Sequence, residues 1–248
     1  MITYRMMDAT CPLPSCLHGG SLPFPQCRDA IDVPAYVETV SDIPPGTVAR
    51  TLQAISARYG ACGVLALEDE RVVGKIRAYP QALIDQVGYP CVQQERMIRP
   101  VIALAPADLP AREAYPILHL YCLQVAGEYS GRGIAGGMLD ALIAWAATSG
   151  WRELRARAVS SIPPLLAWCG QLSRAALARR GFLVTDTTVS PELREGVVAQ
   201  RAGYHGDDVR RQWVDFARWS DDEAAQVFAM TRNLGGTDDA GARTSSRA

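Results

Sequence analysis

Lysine is nearly missing from this chain: Lys75 is the only one in 248 residues, beside 24 arginines. With abundant alanine this reads as coding bias and carries no chemistry. Neither sign of charge is in excess, the formal net charge being −1, and the basic residues are spread rather than massed. That excludes the electrostatic footprint of a nucleic-acid or anionic-membrane binder. No apolar run approaches the roughly 18 residues of a membrane helix, and the N-terminus, with Arg5 and Asp8, lacks the apolar core of a signal peptide. A cytoplasmic protein is the expectation. The seven cysteines are an odd number, which argues against a complete disulfide framework and for reduced thiols. Cys62, Cys91, Cys122 and Cys169 sit in apolar contexts and read as small core residues. An apolar share of 48% is ample for a core, so wholesale disorder is excluded.

What the chain does have is glycine in one place. Leu118 to Leu139 reads LHLYCLQVAGEYSGRGIAGGML, an apolar strand passing through a short turn into a glycine cluster that opens a helix. Gly131, Gly133, Ala135, Gly136 and Gly137 have little or no side chain, so a ligand can approach the backbone. The helix that follows offers unpaired N–H groups and a positive dipole end. An anionic cofactor is therefore expected. Gly131, Gly133 and Gly136 satisfy GxGxxG, but a dinucleotide site needs the strand to run straight into the first glycine and an acid about 20 positions on. Here Ala126 to Ser130 intervene, and the next apolar strand, Leu154 to Val159, ends in Ser160 and Ser161.

The run of Leu123, Val125, Glu128, Tyr129, Gly131, Arg132, Gly133, Ile134, Ala135, Met138 and Leu139 resembles the coenzyme A signature of the GCN5-related N-acetyltransferases (GNAT family), Arg/Gln-x-x-Gly-x-Gly/Ala. Gly133 and Ala135 match its fourth and sixth positions. Ala175 to Phe182, AALARRGF, is similar to the family helix that ends in Gly-Phe before the next strand. The likeness covers about Ile43 to Tyr204 and is specific from Leu118 to Trp151. It implies an α/β (α+β) fold: a mixed, mostly antiparallel central sheet with splayed strands and flanking helices. It also implies acetyl-CoA or another acyl-CoA as cosubstrate, with no metal. In that scheme Leu123 and Val125 line the pantetheine arm and acyl carbonyl through their backbone. The turn of Ser130, Gly131, Arg132, Gly133, Ile134, Ala135 and Gly136 holds the pyrophosphate. Two positions depart from the pattern. Ser130 stands where the family has Arg or Gln, with Arg132 near enough to substitute. Leu177 stands four residues before the Gly-Phe glycine, where many members carry the tyrosine that protonates the leaving thiolate.

Residue spacing suggests the following organisation. Ile2 to Met7 is a strand, and Asp8 to Gln26, dense in Pro, Gly and Cys, is a loop. A helix starting at Asp42 or Pro44–Pro45 runs to about Tyr59, and Gly63 to Leu67 with Val72 to Tyr79 form a hairpin. Pro80 to Tyr115 is a long Pro-containing segment suited to a substrate wall. Helices are expected over Gly136 to Thr148 and Ile162 to Arg180, the second broken early by Pro163 and Pro164. Phe182 to Thr188 and Val197 to Tyr204 should complete the sheet, and Asp207 to Met230 should form an amphipathic helix. The resulting division is 1–42 as an N-terminal strand and Cys/Pro-rich loop, 43–204 as the acetyltransferase domain, 205–234 as a helical extension and 235–248 as a flexible tail.

Acyl transfer from a thioester to an amine needs a deprotonated amine, a stabilised oxyanion and a released thiolate. His119 and Tyr121 fall on one face of the cofactor strand, alternating with Leu120 and Cys122, and are candidate proton-transfer groups; core packing is the alternative. Cys122 as an acyl carrier lacks an assignable base. Cys11, Cys16, His18 and Cys27 have metal-ligand chemistry but not the paired C-x2-C spacing of zinc sites, so an ordered loop is the simpler reading. Glu95, Glu113 and Glu128 could attract a cationic amine or simply be solvated, and Trp151, Trp168, Trp213 and Trp219 read as packing residues. The expected activity is N-acylation, most simply acetylation, of a primary amine on a small molecule or peptide. The rival readings are a non-catalytic acyl-CoA sensor and a metal- or redox-responsive Cys protein. A homodimer is left open.

Overall fold

The computed structural model describes residues 1–8, 17, 22–23, 47–69, 71–87, 106–161, 172–203 and 218–235. Strands β1 (Ile2–Met6), β2 (Leu22–Pro23), β3 (Gly63–Glu68), β4 (Arg71–Pro80), β5 (Ile117–Val125), β6 (Glu153–Val159), β7 (Leu172–Ser173), β8 (Leu183–Val189) and β9 (Gln226–Asn233) belong to one sheet. Its order is β1-β3-β4-β5-β6-β9-β8, with β2 beside β4 and β7 beside β6. Pairing is antiparallel from β1 through β5, parallel between β5 and β6, and antiparallel again through β9 and β8. This is the expected fold class. The helices are α1 (Thr47–Tyr59), α2 (Gln81–Val87), α3 (Ile134–Thr148), α4 (Arg174–Ala178), α5 (Pro191–Gly203) and α6 (Asp221–Ala224). No helix among the described residues is long and apolar enough to cross a membrane.

β4 is buried along nearly its whole length, as a central strand with both faces covered must be. α3 packs on it with Ile134 and Met138 against Gly74 and with Leu139 and Leu142 also buried. Gly74 sets how close the helix comes, since a Cβ there would lie 3.0 Å from Met138 Cε and 3.1 Å from Ile134 Cγ2. A smaller apolar cluster of Val159, Leu193, Val197, Ala224, Ala225 and Val227 joins α5 and α6 to the far end of the sheet.

Four sequence expectations are corrected. Val197 to Tyr204 does not form a strand: α5 covers it to Gly203, started by Pro191 and by Ser190, whose Oγ accepts from Leu193 N at 3.2 Å. Leu193 and Val197, four apart, are its buried stripe. Asp207 to Met230 is not one long helix either. Ser220 and Glu223 form a capping box for the single turn of α6, and β9 then enters the sheet between β6 and β8, where Val227, Phe228 and Met230 are buried. The sheet thus draws on the chain beyond Tyr204. Finally, the segment after Pro80 opens with α2 rather than loop. Within Ile162 to Arg180, β7 and the short α4 are what the described residues contain, with Ser173 capping α4 by accepting from Ala176 N. The Cys11, Cys16, His18 and Cys27 cluster and Glu95 lie outside the described residues.

Candidate active site

β5 and β6 hydrogen-bond only from the pair Ile117–Glu153 to the pair Leu120–Ala156. Beyond that β5 continues to Val125 and β6 to Val159, where β7 takes the place beside Ala158 and Val159. Among the described residues, β5 and β6 are therefore not paired from Tyr121 onward. The opening coincides with a bulge: Tyr121 pairs with Arg77 and Gln124 with Lys75, so Cys122 and Leu123 oppose Ile76 alone. Cys122 adopts the left-handed conformation, φ 48°, which a non-glycine residue accepts only under the constraint of its surroundings. Such a bulge re-aims backbone groups toward the cleft. No glycine marks it, so the sequence carried no signal for it.

Past the opening, Ala126 N donates to Val73 O at 2.9 Å, a one-turn 3-10 helix covers Gly127–Tyr129, and the chain reaches the glycine cluster. Gly131 and Gly133 both have φ of 77°. Gly133 is the N-cap of α3 and provides no side-chain cap, leaving the helix's first amides for a ligand. Among the described residues, a Cβ on Gly131 or Gly133 would meet nothing within 4 Å, so none of them crowds these two glycines. Ile134 is buried under the sheet, and Ala135 and Gly136 are half-buried. Ser130 is exposed. Arg132 turns away from the cradle: its Nη2 lies 2.7 Å from Glu68 Oε1, and its guanidinium lies over the Tyr129 ring at 4.8 Å. The guanidinium beside the cradle belongs instead to Arg180, on α4's C-terminal side. Its Nη2 would be 2.8 Å from a Cβ on Gly136. This neighbour is not visible in the local motif.

On the face of the sheet reached through the opening the residues are polar. Cross-strand partners share a face, so the pairs Lys75–Gln124, Arg77–Tyr121 and Tyr79–His119 line up on it, with Arg155 opposite His119 and Arg157 two residues further. Lys75, Arg77, Tyr79, His119 and Gln124 are buried, and Tyr121 is half-buried, its ring centroid 6.2 Å from that of Tyr79. The one lysine of the chain thus stands in the protein interior. Leu17 N donates to Gln124 Oε1 at 3.1 Å, so Leu17 lies against this face. His119 Nδ1 lies 3.2 Å from Gln81 Oε1 on α2. Burial, reinforced by Arg155 and Arg157, lowers the imidazole pKa from 6.5 to about 3, so the ring is neutral throughout the physiological range. Burial also raises the Tyr79 phenol.

His119 and Tyr121 do share one face, as their spacing suggested, but at different depths: His119 where β5 is bonded on both sides, Tyr121 at the first residue of the opening. Leu123 and Val125 are half-buried along the open edge. Leu177 is fully buried in the main core. Glu113 and Glu128 are exposed. Among the described residues no group of three or more His, Cys, Asp or Glu is arranged for a metal.

No protein-family model matches the chain, and no curated protein matches it significantly. Solved structures similar to it include a GNAT-family acetyltransferase from Streptococcus pneumoniae (12% identity, TM-score 0.36, covering 69% of this chain and 66% of that one). Another is a GNAT-family acetyltransferase from Elizabethkingia anophelis with acetyl-CoA bound (14%, TM-score 0.41, 94% and 97%). A third is the mosquito arylalkylamine N-acetyltransferase like 5b (12%, TM-score 0.47, 94% and 100%). The strand order, the parallel pair that parts midway and the glycine turn opening α3 give this chain the mixed, mostly antiparallel sheet with flanking helices that its sequence led one to expect.

Proposed function

We propose that the protein is an acyl-CoA-dependent N-acyltransferase that moves acetyl from acetyl-CoA to a primary amine by direct attack. The observation that carries this reading is the continuity of one path: the parting of β5 from β6 at Leu120 leads along Leu123 and Val125 to the open glycine turn at the start of α3. An extended thiol arm fits the first part and a pyrophosphate the second. Acetyl-CoA supplies the thioester. The amine nitrogen bonds to the acyl carbon, the carbon–sulfur bond breaks and the amine loses a proton. Backbone groups of Leu123 and Val125 would align the arm. Amides of Arg132, Gly133, Ile134, Ala135 and Gly136, with Ser130 and Gly131 shaping the turn, would hold the phosphates.

Tyr121, at the mouth of the opening, is the proton donor to the thiolate in this reading, since Leu177 occupies the position of the family tyrosine and is sealed in the core. His119 enters as a neutral positioning group linked to Gln81 and not as the base. An imidazole whose conjugate acid has a pKa of about 3 is too weak to draw a proton from an ammonium ion. Water carries the amine proton away. The buried Leu177 and weakly basic His119 also favour a second reading, a sensor that binds acyl-CoA without transferring the group.

Calorimetry with acetyl-CoA, followed by a panel of primary amines with thiol detection, tests both readings. Binding with thiol release supports the enzyme, and binding without release across the panel supports the sensor. Binding should be lost in Gly133→Val. Tight NAD binding in place of acetyl-CoA would overturn both.

A further inference from the structure

We propose that Arg180 is a pyrophosphate-binding residue of this site, supplying from the turn after α4 the side chain that the motif lacks at Ser130. The inference rests on the acyl-CoA reading above and adds to it a residue outside the glycine signature.

Gly136 stands in the first turn of α3, and the space its side chain would fill is taken by Arg180 Nη2, 2.8 Å from the Cβ position. A guanidinium thus lies against the turn whose free amides face the ligand. It is held there with little freedom. Nε donates to Asp140 Oδ1 at 2.6 Å and Nη2 to Asp140 Oδ2 at 3.0 Å, a two-point carboxylate contact. Nη1 donates to Ala176 O at 3.1 Å, and the Arg180 carbonyl accepts from Arg232 Nη1. Asp140 follows Gly136 by one helical turn, so both sit on the same side of α3. The side chain is only 17% exposed.

These contacts use three of the five N–H donors of the guanidinium, leaving one on each terminal nitrogen. An arginine already ordered at a helix N-terminus loses little further entropy on binding and matches phosphate oxygens in geometry as well as charge. Arg132, by contrast, is 46% exposed and bonded to Glu68. Using it would require breaking that pair. The glycine at position 136 then has two uses, opening the backbone to the phosphates and making room for the cation that meets them.

The test is calorimetry with coenzyme A and with 3′-dephospho-coenzyme A on wild type, Arg180→Gln and Arg180→Lys. Arg180→Gln should weaken both ligands by the same factor, about 10- to 100-fold, with Arg180→Lys between it and wild type. Equal affinity in wild type and Arg180→Gln overturns the proposal, as does a loss seen with coenzyme A but not with its dephospho form, which would place Arg180 at the 3′-phosphate. Should Arg180→Gln fail to fold, Asp140→Asn keeps the arginine and releases it; an equal loss for both ligands supports the assignment and unchanged affinity sinks it. Wild-type protein that binds neither ligand overturns the acyl-CoA reading itself, a result distinct from a variant that binds as well as wild type.

Discussion

Arg132 Nη2 lies 2.7 Å from Glu68 Oε1, so the one basic side chain inside the glycine turn is tied to the end of β3 rather than offered to a ligand. Arg132, with Tyr129, in turn holds the Glu68 carboxyl below its usual range. The pair ties the β3–β4 hairpin to the loop before α3.

Glu68→Gln should strengthen coenzyme A binding by a few fold, because it removes an anionic charge near the phosphates and frees Arg132; exposed pairs carry effects of this modest size. Arg132→Ala in the wild-type background should change affinity less than Arg180→Gln. Calorimetry decides, and weaker binding in Glu68→Gln would mean that the ion pair is needed to shape the turn.

Tyr4 on β1 fills the space that a side chain at Gly137 would need, its hydroxyl standing where a Cβ would go. Gly137→Ala should therefore destabilise the protein by about 1–3 kcal/mol through overpacking. In a Tyr4→Ala background the same change should stabilise it by up to about 1 kcal/mol, since alanine favours a helix interior over glycine. Urea unfolding of the two singles and the double gives the coupling, and effects that simply add would remove the Tyr4–Gly137 contact as the cause.

The bulge at Cys122 makes two separable predictions. Cys122→Val should cost about 1–3 kcal/mol and reduce transfer, because a β-branched residue resists φ near +48°. Cys122→Ala should leave turnover nearly intact, because direct attack needs no acyl-cysteine. Loss of turnover in Cys122→Ala, with acetyl-CoA affinity unchanged, would reinstate a covalent route.

The parts of the molecule legible in the sequence are those specified locally. The hairpin of β3 and β4 is written in two apolar runs around Glu68-Asp69-Glu70, and the junction of β5 with α3 in a strand followed by glycines. Both occur with boundaries shifted by only a few residues. What escaped depends on distant partners. Val197 and Val198 look like strand residues until the capping by Ser190 and the four-residue spacing from Leu193 are weighed. Gln226 to Asn233 has the polar and apolar mixture of a helix face but is a strand because β6 and β8 leave a place between them. Arg180 meets Gly136 across a long stretch of chain, and no local motif records such a meeting. The left-handed backbone at Cys122 is likewise set by the ladder around it, not by its own side chain.

His119 gives the last prediction, and its sign follows from burial. In the unfolded chain the imidazole has its ordinary pKa of 6.5, while in the folded sheet burial, with Arg155 and Arg157, lowers it to about 3. Between those values the unfolded state binds a proton that the folded state refuses. Stability therefore falls as pH drops below about 6.5, by at most about 1.4 kcal/mol per pH unit from this group, and the loss levels off near pH 3. Replacing the ring with one of similar size that cannot titrate, His119→Phe, should flatten this acid limb. From pH 7.5 through 6 to 5 the wild-type urea midpoint should fall more steeply than that of the variant. For turnover, the pH profile of the wild type should show no inflection that His119→Phe removes, because a ring that stays neutral changes no charge in the working range. Parallel stability curves, together with an inflection lost in the variant, would show that the imidazole titrates normally in the folded protein and would return His119 to the role of general base.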